Sequence, residues 1–324
     1  MHPAFSVIFL TTLIGAGQGL FLALMTAETY SHIGALPSQS NTFYGNGSLL
    51  ALGLLVAGLI ASFFHLGHPE RAWRSAAMWR TSWLSREVIA LPSFMGVVFI
   101  YAMLHYLNWN PTVFGTAALP ATSLTLLVGI IGVVLCFTLF VCTGMIYACL
   151  KFLQEWHTPL TPINYTLFGM SSGFCLASFY AAEYSNEVTG LFGTWAIILT
   201  LMALITRSAS LLRNKGIKHR SSLRSAIGVR HSNIQQKSMG AMGGSFNTRE
   251  YFHGKTAAFV KSIKWIFLVL VFPVPLVLLA MGLNNDNPTF LIMAFAVQYV
   301  GLIAERWFFF AQANHPQNLY YQTI

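Results

Sequence analysis

Apolar residues fall into eight long runs, separated by shorter polar stretches. The runs cover residues 3–26, 48–66, 87–107, 123–150, 164–183, 189–206, 265–283 and 289–310. An apolar stretch of about 18 residues can cross the hydrocarbon core of a bilayer. In lipid, a single segment of that kind satisfies its backbone only as a helix. The pattern therefore predicts an all-α integral membrane protein, an eight-transmembrane-helix bundle forming a single domain over residues 1–324. Gly15, Gly17 and Gly19 in the first run, Gly129 and Gly132 in the fourth, and Ser171, Ser172 and Gly173 in the fifth permit close helix approach. Pro273 and Pro275 are expected to kink the seventh run. No repeat relates the halves of the chain, which argues against a transporter built on inverted repeats.

The charges order this pattern. The first, third, fifth and seventh connections, 27–47, 108–122, 184–188 and 284–288, contain no Lys or Arg. The 18 basic residues lie in 67–86, 151–163, 207–264 and at the C-terminal end. Such alternation sets orientation, with basic loops in the cytoplasm, so both termini are expected there. Charged residues make up 8% of the chain, against about 25% in a soluble domain. The net charge of +9 then reads as topology plus attraction to acidic lipid headgroups, and nucleic acid is not an expected partner. Met1-His2-Pro3 lacks the basic start of a signal peptide. Cys136, Cys142, Cys149 and Cys175 lie in apolar runs without ligand spacing, so metal, iron–sulfur and disulfide roles are not expected.

Three polar segments face the cytoplasm: 67–86, 213–261 and the tail 311–324. The first mixes Trp73, Trp79 and Trp83 with Arg71, Arg74, Arg80 and Arg86, a composition suited to the membrane interface. Its Arg side chains can reach headgroups or a partner. The second is basic and rich in Ser and Gly, and suits a flexible loop on acidic lipid or a partner. His65 closes the second run, and Glu87 opens the third, where Ser85 is expected to cap the helix. Glu305 and Arg306 lie near the end of the last. Ionisable groups at membrane depth are functional candidates. If these clusters converge, His65, Arg71, Trp83, Arg86, Glu87, Glu305 and Arg306 form a half-buried pocket with an imidazole, carboxylates and guanidinium donors. A quinone needs such a site: donors for two carbonyls, a proton source, and apolar walls for ring and tail. Gln18, deep in the first run, could face that ligand or bridge two helices. No haem is expected, because His65 and His105 belong to opposite ends of their helices.

His65-Leu66-Gly67-His68-Pro69-Glu70-Arg71-Ala72, followed by Ser82-Trp83-Leu84-Ser85-Arg86-Glu87, resembles the H-L-G-x-P-x-x-A and S-x-L-S-x-E pattern of the membrane anchor subunits of dimethyl sulfoxide reductase-type molybdoenzymes. Gly17-Gln18 and Glu305-Arg306-Trp307-Phe308-Phe309 extend the likeness to both ends. The resemblance implies a trimeric complex in the bacterial cytoplasmic (inner) membrane. A molybdopterin subunit performs the substrate chemistry, a four-cluster iron–sulfur subunit relays electrons, and the anchor exchanges them with a quinone. It associates His65 and Glu87 with the quinol site. Residues 78–87 and the ending His315-Pro316-Gln317-Asn318-Leu319-Tyr320-Tyr321 look most like the sulfite-oxidising branch, whose catalytic subunits face the cytoplasm. The expected surface for the iron–sulfur partner is Arg74, Trp79 and Arg80 with Tyr320 and Tyr321, although that tail could instead seal the pocket. A quinol-oxidising anchor of a reductase and a purely structural anchor stand as alternatives.

Overall fold

The computed structural model describes residues 1–116, 119–218, 222, 224–225, 228–231, 233–234 and 253–316. Its long helices are α1 (Phe5–His32), α2 (Asn41–Phe63), α3 (Trp83–Tyr106), α4 (Leu124–Ala148), α5 (Leu160–Tyr184), α6 (Thr189–Lys215), α7 (Ala257–Val271), α8 (Pro273–Asn284) and α9 (Pro288–Ala311). Among the described residues, seven helical stretches are long and apolar enough to cross a membrane: α1, α2, α3, α4, Asn186–Lys215, Ala257–Asn284 and α9. The helix at the fifth run, α5, is 25 residues long but falls outside that apolar set. Its Ser, Gly, Asn and Tyr residues are mostly buried against other helices.

Several helices outrun the apolar stretches that predict them. α1 continues to His32 and α2 starts at Asn41. Both take in residues expected in the first connection. The main correction concerns α6, which runs on to Lys215, so Arg207 and Arg213 are helical rather than part of a loop. Polar residues can extend a helix beyond the lipid at no cost to its backbone bonds, so hydropathy marks the lipid-crossing part only. The expected cap at Ser85 is also corrected. Ser82 caps α3 by accepting from the Ser85 amide, and Ser85 is buried in the first turn. Pro273 breaks the seventh run into α7 and α8 at Phe272, as proline without an amide donor requires. The third connection departs from all-α: Thr112–Thr116 (β1) and Leu119–Ser123 (β2) pair as an antiparallel hairpin. Segment 67–86 contains a 3-10 helix, Pro69–Met78, with no buried residue.

Small residues bring α1 and α5 together. A methyl group on Gly19 would overlap the Gly169 carbonyl, and one on Gly173 would overlap the backbone of Gly19. α1 consequently sits at the centre, with 72% of its most apolar stretch buried, against 28–44% for the other six.

Polar clusters fasten each end of the bundle. At one end, Glu28 of α1 accepts from Tyr101 Oη at 2.6 Å and from Thr125 Oγ1 at 2.7 Å, with His105 Nε2 4.0 Å away. At the other, Met1 N donates to the Ala313 carbonyl at 3.0 Å. There the 149–159 connection is held by Trp156 Nε1 donating to Phe309 O at 2.9 Å and by Arg213 Nη1 donating to Gln154 O at 2.9 Å.

Candidate functional site

Among the described residues, the end where Met1 meets Ala313 also holds the most deeply buried charges. Glu305 is 0%, Arg207 1% and Arg306 4% exposed. Glu305 Oε1 lies 2.7 Å from Arg207 Nη2 of α6. Its other oxygen, Oε2, accepts from Arg306 Nε at 2.6 Å. Two guanidinium groups thus share one carboxylate, leaving a positive excess in an apolar interior. Aromatic faces partly offset it. The Arg306 guanidinium lies 3.9 Å from the Tyr165 ring centre and 5.2 Å from that of Phe309. Arg207 lies 5.5 Å from the Phe267 ring centre and 5.9 Å from that of Phe308. Tyr147 of α4 stacks on Tyr165 at 5.5 Å.

Two cavities of water size, about 20 and 10 Å³, adjoin this cluster. The first is walled by Arg306, Tyr165, Ser172 and Thr12. The second is walled by Glu87, Gln18, Thr143, Phe140 and again Tyr165. Thr11 and Gly15 of α1 line both. Thr143 Oγ1 donates to Glu87 Oε1. Gln18 Nε2 donates to the Cys136 carbonyl at 2.8 Å, bridging α1 and α4. Thus Gln18, Glu87 and Arg306, distant in sequence, border adjoining spaces around one tyrosine, with Glu305 directly behind Arg306.

The remaining candidates lie elsewhere. His65 is exposed just beyond the end of α2, and lines neither cavity. Arg71 Nε is 3.6 Å from Glu70 Oε1, and both side chains are exposed. Arg86 donates to the carbonyls of Trp79 at 2.9 Å and Arg80 at 2.8 Å while stacking on Trp83, 4.2 Å from the ring centre. It ties the turn that follows the 3-10 helix to the start of α3. Arg74 and Arg80 lie over Trp73 and Trp79 at 5.6 and 5.5 Å. Tyr320 and Tyr321 lie outside the described residues. Sequence reasoning missed Arg207 and Tyr165. A basic residue next to a basic loop reads as loop, and one tyrosine within an apolar run carries no signal of its own.

This assembly of long apolar helices, with buried charges at its ends, defines a multi-pass membrane protein. Residues 1–312 match the family of the DMSO reductase anchor subunit, DmsC, and the chain belongs to that family. It is 55% identical to a sulfite dehydrogenase subunit of Allochromatium vinosum, over the full length of both chains.

Proposed function

We propose that this chain is the membrane anchor and quinone-binding subunit of a sulfite-oxidising complex. In this reading a molybdopterin subunit oxidises sulfite, and a four-cluster iron–sulfur subunit passes the electrons to a quinone in the anchor. The carrying observation is the meeting of Glu87, Gln18 and Arg306 around Tyr165, in a member of the anchor family. Arg306 and Tyr165 supply donors for one quinone carbonyl. Glu87, held by Thr143, supplies a proton-accepting and proton-donating group on the opposite side. His65 exchanges protons at the surface. The cavities fit water, so a ring enters by moving the side chains between them.

The exposed Trp and Arg side chains of segment 67–86 rest at the cytoplasmic interface and receive the iron–sulfur partner. All eight long apolar runs cross the membrane, with both termini in the cytoplasm. The meeting of Met1 with Ala313 supports an even number of passes, and α5 supplies the eighth. With electrons and protons arriving from one side, turnover moves no net charge across the membrane.

The test is sulfite-dependent quinone reduction by the co-expressed complex. Glu87→Gln and His65→Ala should each lower the rate at least about tenfold while sulfite still reduces the iron–sulfur clusters. Unchanged rates in both variants would leave a purely structural anchor.

A further inference from the structure

Further along the seam that joins the two cavities, α4 and α5 splay apart. They are close at Gly144, where an added methyl group would overlap Pro162. Towards the opposite end they leave a groove of about 320 Å³, walled by Leu22 and Met25 of α1, Val133 and Phe137 of α4, and Met170 and Phe174 of α5. Phe137 is 41% exposed, so the groove is open to lipid. Thr26 and Thr29 also border it. Their hydroxyls donate within α1, to the Leu22 carbonyl at 2.8 Å and the Met25 carbonyl at 2.7 Å. With those hydroxyls committed to the helix backbone and most of the lining apolar, Tyr30 and Trp195 completing it, the groove suits hydrocarbon.

We infer that this groove holds the isoprenoid tail of the quinone whose head lies between Glu87 and Arg306, an inference that rests on the quinone reading above. Continuity carries it. Thr11, Gly15, Gln18, Leu22 and Met25 follow at three- and four-residue spacing along one face of α1. The first three line the cavities and the last two line the groove. On α4, Thr143 and Phe140 line the Glu87 cavity, while Phe137 and Val133 line the groove. Phe140 of the cavity and Phe137 of the groove are neighbouring rings on α4. Phe140 packs on Gly169, where a methyl group would overlap its ring, and its centre is 6.4 Å from that of Phe137. Gln18 and Leu22 are about 6 Å apart along the helix axis, a short step from head to tail. A tail laid here runs from the Glu305 end of the bundle towards the Glu28 end across its apolar middle, where hydrocarbon is at home.

The experiment compares two quinones with the same head group, one bearing several isoprene units and one without a tail, using the assembled complex reduced by sulfite. Val133→Trp and Met170→Trp, made separately, fill the groove from different helices. Each should raise KM for the prenylated quinone at least about tenfold and leave KM for the tail-less quinone unchanged, which also shows that the variant is folded. Equal effects on both quinones, or none on either, would overturn the inference. Loss of a co-purifying phospholipid with both KM values unchanged would overturn it in favour of a lipid acyl chain. If the parent complex reduces neither quinone while its clusters take electrons from sulfite, the quinone reading itself fails and the tail site with it.

Discussion

The two oxygens of Glu305 face different arginines, so the carboxylate is the hinge of the buried cluster. Removing one partner of a buried ion pair strands a charge in low dielectric, at about 3–5 kcal/mol. Glu305→Gln should therefore destabilise the protein by about that amount, seen as a lower melting temperature of the detergent-solubilised complex. A melting curve matching the parent would show that the two guanidinium groups do not depend on it. Gln18→Leu is milder. It removes the bond to Cys136 O, and interhelical hydrogen bonds in membranes average about 0.6 and reach about 1.7 kcal/mol. Its melting shift should be clearly smaller than that of Glu305→Gln. Glu87 and Glu305 are legible from sequence, since carboxylates at membrane depth stand out. Arg207 is not: its partner lies 98 positions away, on a helix to which no local periodicity connects it.

Among the helices, the crossing of α1 and α5 depends most on the smallness of its residues. Gly19→Ala should destabilise the bundle by at least about 1–3 kcal/mol, because the methyl group meets backbone that cannot yield. Gly53→Ala is the control: a methyl group there meets nothing within 4 Å, and its melting temperature should match the parent. If both variants melt alike, close approach is not what joins the two helices. Helix positions and small-residue contacts could be read from the chain, because apolar length and glycine spacing are local. Helix ends could not. The Glu28 cluster belongs to a turn of α1 past its apolar run, and its partners come from α3 and α4.

At the scale of the whole molecule, one end gathers the ion cluster and the Met1–Ala313 junction. In the orientation proposed from the basic connections, that end is cytoplasmic. An alkaline phosphatase reporter, active only outside the cytoplasm, should be active when inserted within 110–121 and silent within 219–252. The reverse result would invert the molecule and move the partner surface with it. The sequence pattern carried the family, through a motif at the start of α3, but not the convergence of that motif's glutamate and Arg306 on the two cavities beside Tyr165. That convergence depends on how α1, α4, α5 and α9 pack. The central position of α1 also bears on how the protein is made. The ribosome delivers α1 before α5, with α2, α3 and α4 between them. Until then the glycine face of α1 has lipid for a neighbour. α5, too polar to favour lipid by itself, finds that face waiting when it arrives. In the eight-pass arrangement proposed above, α1 thus serves as the docking template for α5, and damage to its glycine face is expected to appear first as failed insertion of α5, upstream of any loss of activity.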